Sequence, residues 1–307
     1  MLAFDHRASF QRSWFGITGT PTAGQLESIA EGKEMILEGL ERAALARGSA
    51  AGLGALVDEQ FGAPRDLPRR IRRAGLTLAM PVEGSGQREF EFEYGARFGE
   101  HIARFDPDFA KALVRYNPAG DQAMNRRQAQ RLAGLSSWLQ ERGRRLLLEL
   151  LVPPEEGQLQ RVGGDRQRYD AELRPGLMLK AVAELQERGV EPHVWKLEGL
   201  ARTSDYETVA AQCRANGRDH VACVVLGRGA DAKRVEGWLR EAALVPGFIG
   251  FAIGRSIWGK PLRALVAKEL SRADAVEAVA GAFLHFAAEF EAAGASEAAT
   301  TKLTDSP

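Results

Sequence analysis

The chain predicts an α/β protein built as a single (β/α)8 barrel, the TIM-barrel architecture. Three observations carry that expectation. Eight short apolar runs alternate with helical patterns, no run is joined to the next by a hairpin turn, and no G-x-G-x-x-G opens a helix after the first run. Parallel strands need crossover connections and read as nearly continuous apolar runs, because both of their faces are covered. Eight strand–helix units close naturally into a ring. A doubly wound open sheet, the alternative, would favour a glycine-rich fingerprint at its first turn.

The first strand covers residues 2–7, almost at the start of the chain. A long helix follows over 22–47, with Leu26, Ile29, Met35, Ile36 and Leu40 on one stripe, Thr22 as its cap and Gly48 as its stop. The second strand spans 52–58, a short helix lies near 67–74, and the third strand covers 76–80 before Pro81. A helix over 94–104 leads to the fourth strand, 110–116, closed by Asn117-Pro118. A charged helix over 121–142 precedes the fifth strand, 146–152. Residues 165–167 read as loop and 169–188 as helix, with a break expected at Pro175. The sixth strand is 193–199, the seventh 221–226 and the eighth 248–253, each followed by helical pattern that ends near residue 291. Residues 1–291 are therefore expected to form the barrel domain, and 292–307, small and polar, a disordered tail.

Composition narrows the class of partner. The 307 residues carry 41 basic and 41 acidic side chains, a formal net charge of zero, which argues against nucleic acid or an anionic membrane surface. Cys213 and Cys223 are too few for a disulfide framework or a zinc cluster. There is no signal-peptide pattern at Met1 and no apolar run of about 18 residues. A soluble, cytoplasmic protein is the expectation. Barrels of this kind often form homo-oligomers, although no exposed apolar stripe argues for one here.

The chemistry collects at strand ends, where barrel active sites lie. Asp5, Asp58, Lys111, Glu149 and Lys196 fall at the C-terminal ends of strands one, two, four, five and six. Alternation of side chains sets Leu146, Leu148 and Leu150 opposite Glu149, and Trp195 and Leu197 opposite Lys196. With the larger apolar set facing the helices, two lysines and two or three carboxylates share the barrel interior. A lysine within a buried strand is either paired or kept neutral as an amine nucleophile. A buried ion-pair network is the bland alternative, though such networks seldom add stability over apolar packing. A nearby second ammonium and partial burial lower an amine's pKa, so that it can attack a carbonyl. A carboxylate then moves protons. This chemistry needs no metal or other cofactor.

Gly227-Arg228-Gly229 and Gly254-Arg255-Ser256 end strands seven and eight, where barrels commonly bind phosphate on backbone N–H groups and a helix N-terminus. Paired in this way, they favour a phosphorylated small molecule. His193 reads as structural, His220 as a loop residue, His285 as a helix-face residue, and His6 as a neighbour of the site beside Asp5. Trp238 and Trp258 read as core. Glu198, on the same face as Lys196, is expected at the mouth.

Several segments recur in this order in one family: residues 3–7, 58–62, 81–83, 111–116, 147–149, 195–198, 225–227 and 250–255. Over residues 2–290 the chain resembles the aldolase domain fused behind 5-dehydro-2-deoxygluconokinase in myo-inositol breakdown. That domain is in turn similar to class I tagatose-bisphosphate and sulfofructose-phosphate aldolases. The resemblance implies that Lys196 is the Schiff-base lysine, Glu149 the proton-shuttling carboxylate, Lys111 the second lysine and Asp5 the carboxylate of strand one. It implies a phosphate-binding turn at Gly254 with Arg255 and matches Gly227 to the turn after strand seven. The implied reaction is retro-aldol cleavage of 2-deoxy-5-keto-gluconate 6-phosphate to dihydroxyacetone phosphate and malonate semialdehyde. The alternatives are another ketose-phosphate aldolase and a non-catalytic sugar-phosphate regulator. The chain is expected to stand free of the kinase or to be cut from such a fusion. It departs from the fused enzymes at Arg115 (an aromatic there), Asn117 (histidine) and Gln60 (arginine), all expected near the mouth.

Overall fold

The computed structural model describes the backbone of residues 1–304 and the side chains of residues 1–295. Eight strands follow one another in one sheet: β1 (Leu2–Ala3), β2 (Gly54–Leu56), β3 (Thr77–Pro81), β4 (Phe109–Arg115), β5 (Arg145–Leu151), β6 (Val194–Glu198), β7 (Ala222–Leu226) and β8 (Phe248–Phe251). All neighbours are parallel. Leu2 bridges in parallel to Ile253 just past β8, and the Ala3 N–H donates to the Ile253 carbonyl at 2.8 Å. The sheet therefore closes on itself as the expected (β/α)8 barrel. Among the described residues, no helix is long and apolar enough to cross a membrane.

Alternation divides each strand between two cores. Leu146, Leu148 and Leu150 of β5 join the outer core beneath the helices, as do Trp195 and Leu197 of β6. Inside the ring, Leu147, Val194, Val224 and Ala252 form one apolar plug, and Ala3, Leu56 and Ala79 form another with Phe109 against it. Asp5, Lys111, Glu149 and Lys196 each stand two residues beyond a plug residue (Ala3, Phe109, Leu147 and Val194). They share its inward face, one layer nearer the C-terminal end.

The helix Ala23–Arg47 starts with a capping box: Thr22 Oγ1 accepts the Gln25 N–H, and the Thr22 N–H donates to the Gln25 side chain at 2.8 Å. Gly48, at φ 69°, ends it in the left-handed region that glycine tolerates. Its stripe buries Ile29, Met35, Ile36 and Leu40, but Leu26 in the first turn is exposed.

Several expectations change. A helix, Ala8–Phe15, occupies a stretch with no predicted element; it is short, lacks a side-chain cap, and buries Phe10. Of residues 165–167, expected as loop, Asp165 caps a helical turn, Arg166–Arg168, that begins with the other two. Pro175 does not break a helix but sits in the first turn of Arg174–Glu187, where its missing N–H costs nothing. The disruption falls before it, in the π-helical turn Tyr169–Leu173. The expected tail from Ala292 is helical as far as Thr304, in keeping with its alanine content, and residues 305–307 lie outside the described ones.

Strand β1 is too short for its ladder to position the residues that follow. That task falls to Lys33, fully buried on the helix Ala23–Arg47. Its ammonium donates to the carbonyls of Phe4 and His6, the latter at 2.8 Å, and to Asp58. Three acceptors use its three donors and hold the backbone on both sides of Asp5. Asp58, two residues past β2, is thus a structural partner that also caps the next helix, accepting the Phe61 N–H at 2.9 Å. Lys33→Met leaves Asp58 buried without its cation and is expected to cost about 3–5 kcal/mol in urea-induced unfolding.

Candidate active site

The C-terminal mouth of the barrel opens into a cleft of about 320 Å³ lined by Asp5, Lys111, Glu149, Lys196, Gly227, Arg228, Gly254 and Arg255, so all eight sequence-designated site residues meet there. Glu149 and Lys196 are register partners on β5 and β6, which places their inward side chains together. Lys196 Nζ donates to Glu149 Oε2 at 2.9 Å, and the same oxygen lies 3.1 Å from Lys111 Nζ. Lys111 Nζ also donates to Asp5 Oδ2 at 2.8 Å and Glu83 Oε1 at 2.6 Å.

The two lysines are unequal. Three carboxylates surround Lys111, matching its three N–H donors, whereas Glu149 is the one hydrogen-bond partner of Lys196 among the described residues. Burial opposes the charge on Lys111, but Asp5, Glu149 and Glu83 outweigh it and hold its pKa well above the ordinary value. Burial likewise works against the charge on Glu149, yet Lys111 and Lys196 bring its pKa below the ordinary value. Asp5 behaves in the same way, against burial and through Lys111 first. Glu83 goes the other way: burial raises its pKa, and the charge of Asp5 adds to that effect.

His6 also lines the cleft, with its ring edge-on to Trp258 and Nδ1 3.9 Å from Asp5 Oδ1. Burial lowers its pKa to about 3, so the imidazole is neutral at physiological pH. His193 is structural as expected, its Nδ1 accepting the Leu146 N–H at 3.3 Å. Trp258 and Trp238 are in the core.

The wall after β7 and β8 holds the two glycine–arginine turns. Gly254 precedes the helix Arg255–Val266, whose first turn has no side-chain cap. Only glycine fits at that position, since a Cβ would come within 2.0 Å of the Ala3 carbonyl oxygen. The arginines differ. Arg228, at φ 49°, is engaged by Asp170 at 3.0 Å and Glu198 at 2.9 Å. Arg255 has no carboxylate within 4.0 Å among the described residues, and burial lowers its pKa.

Glu198 is not at the mouth. It is buried, accepts the Val152 N–H at 2.8 Å, and faces Arg174 at 3.4 Å as well as Arg228. It joins β5 and β6 to the loop after β7. Of the three departures expected near the mouth, only Arg115 lines the cleft. Asn117 is buried, donating to Pro153 O at 2.8 Å and Gln158 Oε1 at 2.7 Å, and Gln60 is exposed on the short helix Glu59–Gly62. Glu83 is the charged floor residue not singled out from strand alternation. Its signal was available: Pro81 is the register partner of Lys111, and Glu83 lies two residues on. Arg7 supports it from behind, donating to the Glu83 carbonyl at 2.6 Å.

Fold and site together define a parallel (β/α)8 barrel with a buried lysine–carboxylate cluster at its C-terminal mouth. The chain belongs to the DUF2090 family, described as an uncharacterized protein conserved in bacteria, whose model matches residues 1–293. The fold is similar to that of fructose-bisphosphate aldolase from Plasmodium falciparum, at TM-score 0.68 and 15% identity over 94% of this chain and 89% of that one. It is also similar to a structural-genomics protein from Corynebacterium glutamicum, at TM-score 0.52 and 17% identity over 92% and 83% of the two chains. No curated protein matches by sequence.

Charge balance makes the floor sensitive to pH. The depressed values of Asp5 and Glu149 lend stability that is present above their ordinary values of 3.8 and 4.5 and lost as pH falls through the lower folded-state values. The raised value of Lys111 lends stability that is complete below its ordinary 10.5 and lost only as pH rises beyond it. Lys111→Met is therefore expected to destabilise the protein most near pH 7. Urea unfolding across pH should show the gap from wild type narrowing below about pH 4.

Proposed function

We propose that the protein is a class I aldolase in which Lys196 forms a Schiff base with a phosphorylated ketone. The observation that carries this reading is the unequal partnering of the two lysines. Lys111 is saturated and held as a cation, whereas Lys196 shares one carboxylate and keeps donor capacity toward the cleft. Glu149 is placed to take a proton from Lys196, and the neutral amine adds to the substrate carbonyl. The carbinolamine loses water to give a protonated imine. Removal of a proton from the hydroxyl on the β-carbon breaks the adjacent C–C bond, and the electron pair moves into the iminium as an enamine. An aldehyde leaves. Protonation of the enamine carbon and hydrolysis return the water, release the second product and restore the amine. Glu149 serves these proton transfers, and the charge of Lys111 stabilises oxyanion character nearby.

The substrate class is a phosphorylated keto sugar acid or ketose. Seven cationic side chains and four carboxylates line the cleft of a chain whose formal net charge is zero, which suits an anionic ligand. Arg255, the glycine turns and the first turn of the helix Arg255–Val266 receive the phosphate. The sequence resemblance singles out 2-deoxy-5-keto-gluconate 6-phosphate, cleaved to dihydroxyacetone phosphate and malonate semialdehyde. Sulfofructose-phosphate and tagatose-bisphosphate types of ketose cleavage are the alternatives.

Borohydride reduction in the presence of dihydroxyacetone phosphate is expected to leave a secondary-amine adduct on the peptide that contains Lys196. Lys196→Ala should abolish it, and Glu149→Gln should slow turnover by about 100-fold or more. A folded wild-type protein that gives no adduct would sink the imine mechanism.

A further inference from the structure

We infer that the cleft takes a substrate with an anionic group at each end, and that Arg115 forms a second oxyanion subsite, of the carboxylate class, opposite the phosphate wall. The inference rests on the aldolase reading for the phosphate end, chooses the sugar acid over the ketose for the other end, and adds the residue that holds it. Strands four apart in an eight-stranded ring face each other. Arg115 ends β4, and Arg255 follows β8, so the two stand on opposing walls with the lysine floor between them.

The cations are distributed to match. On the floor, Lys111 and Lys196 are offset by Asp5, Glu83 and Glu149. The cationic excess therefore lies on the walls: Arg228 and Arg255 on one side, Arg7, Arg88 and Arg115 on the other. Arg7 is committed to Glu93 at 3.1 Å and to the Glu83 carbonyl. Arg115 donates to the Gln87 carbonyl at 2.7 Å and, among the described residues, has no carboxylate within 4.0 Å, which leaves most of its planar fork for a ligand.

Its surroundings are built to keep it so. Glu89, which lines the cleft on this wall, is already paired with Arg127 at 2.7 Å and with Arg131. Gln128, fully buried, ties the two parts together: its Nε2 donates to the Arg115 carbonyl at 3.0 Å and its Oε1 accepts the Phe90 N–H at 2.8 Å. The guanidinium is thus half-buried, oriented by backbone contacts and spared a competing anion.

Calorimetric titration with two ligands that lack a ketone tests this apart from catalysis. 6-Phosphogluconate carries a carboxylate and a phosphate, whereas glucitol 6-phosphate carries the phosphate alone. Wild type is expected to prefer 6-phosphogluconate by about tenfold or more. Arg115→Gln should bring that ratio near one, and Arg115→Lys should leave it intermediate. Arg255→Gln should weaken both ligands and keep the ratio. Thermal melting establishes that each variant is folded. A wild-type ratio retained in Arg115→Gln, or one erased instead by Arg255→Gln, overturns the inference. Because neither ligand forms an imine, failure of borohydride trapping removes the aldolase reading without moving this ratio.

Discussion

Charge balance in one desolvated layer of the barrel is the constraint on which the rest depends. Asp5, Glu83 and Glu149 converge on the ammonium of Lys111, buried with it. Burying several ions is costly, and the cost is recovered only where geometry is good and every donor is used. Lys111 meets that condition. By doing so it fixes Glu149, whose Oε2 then lies between two ammonium groups. A carboxylate held that way can take the proton of one ammonium and return to the ionised form against the other. The floor is therefore a charge cluster that, in the mechanism proposed above, also serves as a proton relay.

The layer needs support because its members come from strand ends, where ladder hydrogen bonds run out. Asp5 is the extreme case, two residues beyond a two-residue strand. Lys33 supplies from outside the ring the rigidity that β1 lacks, and Asp58 is its counter-ion. On the far side, Glu198 plays the equivalent part for the wall after β7. It holds Arg228 in its left-handed loop and contacts Arg174, which in turn donates to the Gly199 carbonyl at 2.9 Å. Two buried carboxylates, Asp58 and Glu198, thus frame the site through their cations. Each fixes backbone geometry, which apolar packing of the same volume would not do.

The barrel and the four main floor residues were legible in the sequence because both follow from alternation alone. Each charged residue stands two positions after an apolar plug residue, so the face that carries the plug also carries the charge. Glu83 was harder to read because its strand ends at Pro81 and it lies in the loop beyond. Asp58 and Glu198 share the strand-end signature of the site residues, yet a cation from outside the ring claims one and two arginines the other. No spacing rule reports a partner that arrives from a helix distant in sequence. Asn117 and Gln60 show the same limit: they are near the mouth along the chain, but side-chain bonds and helix orientation take them away from it.

A fold likeness at 15% identity carries the barrel and says nothing of the reaction, since barrels of this kind host many chemistries. Only the geometry of the site bears on imine chemistry. A network kept only for stability has no reason to hold one lysine saturated and its neighbour under-coordinated within the same cluster, because the second ammonium then bears desolvation without full compensation. That imbalance is affordable where the lysine exchanges its proton with Glu149 and gains a covalent bond to substrate. The same reasoning applies to Arg115 and Arg255 on the walls. Neither has a carboxylate within reach among the described residues, in a protein with as many acids as bases, and the anionic ligand proposed above would supply the counter-ion that each lacks.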